Sequence, residues 1–145
     1  MDLDEIVDER SILRKLSEFA RILDEKRWDD LSHVFSESIV FDYGTGEEQA
    51  GIAALRDNMT RYLERCGGTQ HLLGSIVVDI DGDKALSKAY VQARHQGVGE
   101  HAGKFFDSNG EYIDRWERSE DGWRIVRRDA VWASQSGDPA VIGLG

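Results

Sequence analysis

The chain has 145 residues, 40% of them hydrophobic and 32% charged, with a formal net charge of −10. This length suits one domain, and the acidic balance argues against nucleic acid and anionic membranes, which need clustered Lys and Arg. No apolar run approaches the roughly 20 residues that cross a bilayer, and the acidic N-terminus does not resemble a signal peptide, so we expect a cytoplasmic protein. The single cysteine, Cys66, excludes an internal disulfide.

The N-terminal half predicts helices. Apolar residues at helical spacing indicate a first helix over residues 3–25: Ile12, Leu16, Phe19 and Leu23. A turn over 26–30 leads to a short second helix with Trp28 and Phe35 on its apolar side. A short strand over 39–43 follows, and a third helix starts near Gly51.

The C-terminal half predicts four strands, which cover residues 71–81, 84–97, 103–118 and 122–134. The short turns between them favour an antiparallel meander, so the fold class is α+β, with helices covering one face of a curved sheet. We predict one domain over 1–145, with a core over about 4–134. The tail, 135–145, has loop composition, and its Val141 and Ile142 are candidates for contact with a neighbouring subunit.

Asp24 lies on the flank of the apolar stripe of the first helix. A carboxylate that faces the protein interior needs a partner, and we nominate His71, at the start of a strand. A carboxylate on one ring nitrogen would orient the imidazole so that it can accept a proton as an acid/base dyad. The alternative is a helix-terminal Asp and a strand His that both face solvent.

Arg128 is flanked by apolar residues on one face of its strand, together with Arg124 and Val126. It needs a carboxylate or an anionic ligand, and Asp114 is the candidate partner. A structural salt bridge and an arginine at an oligomer interface are the alternatives. Tyr43 offers a phenol that could bind a carbonyl oxygen, although core packing is the commoner role of a tyrosine.

The histidines carry no metal-binding spacing. The chain has four of them and contains neither an HxH nor an HExxH pattern, so we expect no metal site.

Four short motifs, taken in order, resemble the SnoaL-like branch of the nuclear transport factor 2-like superfamily. They are Asp24-Glu-Lys-Arg-Trp-Asp-Asp-Leu, Phe41-Asp-Tyr, Thr69-Gln-His-Leu-Leu-Gly and Asp121-Gly-Trp-Arg-Ile. Within this branch the pattern is similar to scytalone dehydratase, hexachlorocyclohexane dehydrochlorinase and bile acid 7α-dehydratase. The resemblance covers roughly residues 4–134.

The resemblance implies a cone-shaped, cystatin-like α+β barrel, in which a strongly bent, mostly antiparallel sheet wraps around the long N-terminal helix and leaves an apolar pocket. The catalytic base of those enzymes falls on Asp24 and His71. A tyrosine that polarises the substrate falls on Tyr43, and the arginine of the dehydrochlorinase falls on Arg128. These enzymes need no cofactor and often form dimers or trimers, so a homo-oligomer is expected.

The chain departs from these enzymes at the accessory positions. A site tyrosine of some dehydratases is replaced by Phe19, and a second catalytic Asp falls on Ala93. The second histidine of scytalone dehydratase has only His95 and His101 as candidates, by vicinity. The dyad is therefore kept, while the groups that define each known substrate are not.

The sequence thus predicts a cofactor-independent lyase or isomerase that acts on a small, largely apolar carbonyl or hydroxyl compound, or on an aromatic or polyketide-like one. The expected substrate pocket consists of Phe19, Trp28, Tyr112, Asp114 and Trp132. A polyketide cyclase would use the same parts. The same fold also serves as a non-catalytic ligand-binding or assembly module, and as a small subunit like that of ring-hydroxylating dioxygenases, so the sequence leaves both of these functions open.

Overall fold

The computed structural model describes residues 1–144, in which a long N-terminal helix lies against a six-stranded sheet. Helix α1 spans Leu3–Glu25 and α2 spans Ile52–Leu63. The strands are β1 (Phe35–Asp42), β2 (Gln49–Ala50), β3 (Thr69–Asp81), β4 (Lys84–Gln96), β5 (Phe105–Ser119) and β6 (Gly122–Gly137). Short 3-10 helices cover Trp28–His33, Gly99–His101 and Pro139–Ile142.

The sheet has the strand order β2-β1-β6-β5-β4-β3 and is not closed, with β2 and β3 at its edges. Strands β3 to β6 form the expected antiparallel meander. Strand β1 pairs with β6 in parallel, which makes the sheet mixed. The predicted α+β class, with helices on one face of a mostly antiparallel sheet, is confirmed.

Helix α1 begins and ends where the sequence predicts. The Asp2 carboxylate caps its first turn by accepting a hydrogen bond from the Glu5 amide at 2.9 Å. Lys26 adopts a left-handed conformation, φ 55°, and stops the helix. The buried stripe faces the sheet and consists of Ile12, Leu16, Phe19, Ala20, Ile22 and Leu23. No helix among residues 1–144 is long and apolar enough to span a bilayer.

A bulge in β3 changes which residues face the core. The pairing with β4 shifts between Gly74 and Val77, and Ser75 adopts φ 47°. His71 faces inward before the bulge and Val78 faces inward after it, whereas Val77 is 57% exposed. Simple alternation along the strand predicts that Val77 shares a face with His71, and the bulge makes this prediction wrong.

A second register shift, between Ile125 and Arg127, changes the face of β6. Ile125 and Arg128 are both fully buried although they are three residues apart. The expectation that Arg124 and Val126 lie on the face of Arg128 is wrong, because simple alternation does not continue through the shift.

The predicted tail is part of the core. Strand β6 runs to Gly137, and the 3-10 helix that follows is capped by Asp138, whose carboxylate accepts a hydrogen bond from the Ala140 amide. Val141 and Ile142 are covered by the chain's own core rather than left for a neighbouring subunit. Phe35, expected on the second helix, instead begins β1.

We expect Val141→Ala to lower the free energy of unfolding by about 1.5–3 kcal/mol, because it removes two buried carbons and leaves a cavity. Val7→Ala is the matched control, since Val7 is exposed on α1 and alanine favours a helix. Urea unfolding measures both variants. An equal effect of the two substitutions would contradict the burial of the C-terminal segment.

Candidate active site

A cavity of about 260 Å³ lies between the end of α1, helix α2 and the inner face of the sheet. Its size is near the lower end for small-molecule sites, roughly 300–1,000 Å³. Its exposed lining residues, Gly44, Thr45, Gln135 and Leu144, mark the side that meets solvent. The remaining lining residues are Leu23, Tyr43, Asn58, Met59, Tyr62, Leu63, His71, Ala93, His95, Phe106, Ser108, Tyr112, Trp132 and Ile142.

Asp24 and His71 are in direct contact. The Asp24 Oδ1 atom lies 2.7 Å from the His71 Nδ1 atom. The same carboxylate accepts hydrogen bonds from the His71 backbone amide at 3.1 Å and from the Thr69 hydroxyl at 2.9 Å. These three bonds hold the last full turn of α1 against the start of the edge strand β3.

This contact determines the ionisation of Asp24 and the tautomer of His71. Partial burial would raise the pKa of Asp24, but the hydrogen bonds from His71 and Thr69 outweigh it, and the pKa is lowered below the ordinary value. Asp24 is therefore a carboxylate that accepts the Nδ1 proton of His71. In the neutral ring the lone pair is then on the Nε2 atom, which has no hydrogen-bond partner among residues 1–144, and His71 lines the cavity.

A second imidazole, that of His95, lies beside His71. The two ring centroids are 5.8 Å apart and the ring planes are perpendicular, at 89°. His95 donates its Nδ1 proton to the Phe106 carbonyl oxygen at 2.8 Å, which leaves its Nε2 atom as an acceptor. Burial lowers the pKa of His95 and outweighs the hydrogen bond to Phe106, which raises it. His95 is therefore a neutral imidazole near pH 7.

A buried ion pair, Arg128 with Asp114, lies behind Tyr43 on the cavity wall. Arg128 donates two hydrogen bonds to Asp114, at 2.7 and 2.8 Å, and neither side chain is exposed. A third nitrogen of the guanidinium, Nη1, donates to the Tyr43 hydroxyl at 3.1 Å. Because Tyr43 accepts this bond, its own hydroxyl proton is free for another acceptor.

Aromatic rings surround the guanidinium of Arg128. It lies 4.2 Å from the ring centre of Phe19 and 4.1 Å from that of Tyr112. Burial would lower the pKa of Arg128, but the charge of Asp114 raises it, so the arginine stays protonated. Burial raises the pKa of Tyr43 despite the nearby guanidinium, so Tyr43 is a neutral phenol.

The loop after β1 positions the aromatic wall. The Asp42 carboxylate accepts hydrogen bonds from the amides of Gly44, Thr45 and Gly46. Trp132 donates its indole proton to the Tyr43 carbonyl oxygen at 3.1 Å. A Cβ atom on Gly44 would lie 2.6 Å from the Trp132 ring, so this close approach requires glycine.

The structure brings some of the predicted site residues together and separates others. His71, Tyr43, Tyr112 and Trp132 line the cavity. Arg128 is buried one layer back, where it donates a hydrogen bond to Tyr43 and packs on the ring of Tyr112, and it does not itself line the cavity.

Three residues expected in the pocket are not on its wall. Phe19 packs edge-on against the rear of Tyr112. Asp114 lies deeper along β5 and is occupied by Arg128. Trp28 follows the reversal of the chain at Lys26 and instead hydrogen-bonds Glu64 outside the cavity.

His95, Ser108 and Asn58 line the cavity but were not among the predicted site residues. Strand alternation places His95 and Ala93 on one face of β4, and this pattern could have indicated His95. His101, the other candidate by vicinity, does not line the cavity. No group of three potential metal ligands occurs within residues 1–144.

Comparisons with known proteins agree with this architecture. The model of the SnoaL-like domain family matches residues 4–129. An uncharacterized protein of Mycobacterium tuberculosis, Rv2910c, is 30% identical over 132 residues, which cover 88% of this chain and 87% of that protein.

Among solved structures, a Novosphingobium aromaticivorans protein provisionally described as an aromatic ring hydroxylase is 28% identical, with a TM-score of 0.79 and coverage of 94% and 97% of the two chains. A second protein of that organism, provisionally described as a scytalone dehydratase, has a TM-score of 0.82 at 21% identity, with coverage of 91% and 88%. A hexachlorocyclohexane dehydrochlorinase, LinA type 2, has a TM-score of 0.83 at 14% identity, with coverage of 95% and 93%. At these last two identities the similarity shows the fold.

We expect Arg128→Met to lower the free energy of unfolding by about 3–5 kcal/mol, because it leaves the Asp114 carboxylate buried and unpaired. Adding Asp114→Leu should recover part of this loss. Arg94→Met makes the same change in an exposed pair with Asp107 and should cost about 0–1 kcal/mol. Urea unfolding of the native chain and these three variants gives the comparison, and a double variant less stable than Arg128→Met would contradict it.

The stability should also depend on pH through His95. Its pKa is lower in the folded chain than the ordinary value of about 6.5, so the unfolded chain binds the proton more tightly and stability falls as pH falls below about 6.5. His95→Asn keeps a donor for the Phe106 carbonyl and removes the titration. We expect its stability to fall less than that of the native chain between about pH 7.5 and 5.5. If the urea midpoints of the native chain and His95→Asn change equally with pH, this role of His95 is excluded.

Proposed function

The chain belongs to the SnoaL-like family, and from that premise we propose that it is a cofactor-independent dehydratase for small, neutral β-hydroxy carbonyl compounds. One observation carries the proposal. The imidazole of His71 is held at Nδ1 by Asp24, its Nε2 atom has no hydrogen-bond partner among residues 1–144, and the residue lines a cavity with aromatic walls.

The first step is proton abstraction by His71. The Nε2 lone pair takes a proton from the carbon next to the substrate carbonyl, and the positive charge on the imidazolium is stabilised by the Asp24 carboxylate 2.7 Å away. The carboxylate also keeps the ring in the tautomer that exposes Nε2. General base catalysis of this kind contributes roughly 10²–10⁴-fold to the rate.

The second requirement is a donor for the oxygen on which negative charge develops. Tyr43 is a neutral phenol whose oxygen already accepts a hydrogen bond from Arg128, so its proton points to another acceptor. A substrate carbonyl at this position would be polarised by a phenol with a fixed positive charge behind it. Arg128 acts here as a positioning residue, because it does not touch the substrate.

The elimination is balanced within the site. The base removes one proton from the α-carbon, the C–O bond of the β-hydroxyl breaks, and the His71 imidazolium returns the proton to the departing oxygen as water forms. The product is the conjugated enone. Because one imidazole performs both transfers, proton and hydroxyl leave from the same face. The neutral Nε2 of His95 can accept a hydrogen bond from the hydroxyl and orient it.

A second candidate is a non-catalytic small subunit, and it is favoured by the similarity to the Novosphingobium protein described as a ring hydroxylase. A subunit of that kind has no need for an open cavity or a free imidazole nitrogen. The aromatic cavity and the oriented His71 support the dehydratase instead. Turnover by the isolated chain distinguishes the two.

We expect the chain to dehydrate 3-hydroxy-1-tetralone, a cyclic β-hydroxy ketone. Its enone product tautomerises to the fluorescent 1-naphthol. His71→Asn keeps the hydrogen bond to Asp24 and removes the base, so kcat should fall by about 10²–10⁴-fold. His33→Asn is the control, since His33 is exposed on the first 3-10 helix, and it should leave kcat unchanged. Equal naphthol formation by native chain and His71→Asn, or no turnover of this and related β-hydroxyketones, would contradict the proposal.

A further inference from the structure

Helix α2 carries one polar side chain within its buried stripe. Leu55, Met59 and Leu63 face the interior at helical spacing, and Asn58 lies among them with only 8% of its surface exposed. Asparagine is a weak helix former in the middle of a helix. Neither helix propensity nor burial therefore accounts for an asparagine at this position.

The amide of Asn58 has no hydrogen-bond partner among residues 1–144, whereas the Thr69 hydroxyl beside the dyad donates to Asp24. Its amide atoms are not sealed off, and the residue lines the cavity. A buried amide without a protein partner is costly, so it requires water or a ligand in the cavity as its partner.

The rest of the wall restricts what that molecule is. No Asp, Glu, Lys or Arg side chain from the described part of the chain lines the cavity. The nearest buried cation, Arg128, is already neutralised by Asp114. A charged ligand would lose its hydration without gaining a counter-ion, so a neutral ligand is favoured.

We propose that Asn58 is a specificity-determining residue that binds a second, neutral hydroxyl of the substrate at the α2 wall, apart from the reacting carbonyl. An amide both donates and accepts, as does a hydroxyl, so the pair satisfies both partners. The inference rests on the proposed dehydratase and deepens it by naming a further substrate feature. A site built to hydrogen-bond a hydroxyl discriminates against the analogue that lacks it, because its own polar group is then left unpaired.

The test measures binding rather than turnover. The probes are α-tetralone and its four phenolic regioisomers, which lack a leaving group and fit an aromatic wall. Quenching of tryptophan fluorescence reports their binding, because Trp132 lines the cavity. We expect the native chain to bind at least one phenolic isomer about tenfold more tightly than α-tetralone, the upper range for one neutral hydrogen bond.

The quantity compared is the ratio of the affinity for the best phenolic isomer to the affinity for α-tetralone. Asn58→Leu should reduce this ratio to about one while keeping or improving the affinity for α-tetralone. Asn58→Ala is the second variant, in case leucine does not fit. Asp57→Leu is the matched control, because Asp57 is an exposed neighbour on the same helix and does not line the cavity, and its ratio should equal that of the native chain. Urea midpoints verify that each variant is folded.

The outcomes are separable from those of the proposed function. An unchanged ratio in both Asn58 variants overturns the inference, because the amide would then bind only water, whatever the turnover result. No binding of any of the five ketones also overturns it, since neutral aromatic ketones are the ligand class that it names. Loss of the ratio in Asn58 variants, with no dehydration by the native chain, would support the inference and reject the dehydratase.

Discussion

The geometry of this site depends on the hydrogen bond between Asp24 and His71. It joins the end of α1 to the start of β3, an edge strand that pairs on one side only. The bond works because α1 ends immediately after Asp24, where Lys26 turns the chain. Each added or lost residue would rotate the carboxylate by about 100° around the helix axis and move it away from the imidazole.

The same bond accounts for the chemistry of the imidazole. A carboxylate with a lowered pKa accepts the Nδ1 proton, and the ring is left with its lone pair on the cavity side. The His71 amide and Thr69 add two further donors to the carboxylate, so the helix end, the strand and the ring are positioned together. If His71 is the proposed base, preorganisation of this kind removes the need to order it when a substrate binds.

Charge is arranged in layers around the cavity. The chain has a net charge of −10, yet its described cavity wall carries no acidic side chain. The buried charges of Arg128 and Asp114 are paired one layer back, where three rings pack around the guanidinium: Phe19, Phe35 and Tyr112. The phenol of Tyr43, which accepts a hydrogen bond from Arg128, transmits this charge to the cavity as a neutral donor. The wall can thus contact apolar carbon while one point on it is strongly polarised.

The sequence predicted much of the framework. Helical spacing predicted α1 over about residues 3–25, close to its observed bounds, and alternation with short turns predicted the antiparallel strands from β3 to β6. The same patterns nominated Asp24 with His71 and Asp114 with Arg128, because a polar group within an apolar stripe needs a specific partner. The two contacts are present, at 2.7 Å in each case.

Only the tertiary structure determined which strand residues face the core and which residues line the cavity. The register shifts in β3 and β6 moved Val77 and Val126 away from the expected face, because a bulge is defined by hydrogen bonds to the neighbouring strand. It also decided that Val141 belongs to the core and that Arg128 lies behind Tyr43. Periodicity within one segment shows which way a side chain points, whereas a cavity wall depends on how far several segments approach one another, and that distance is determined only when they pack.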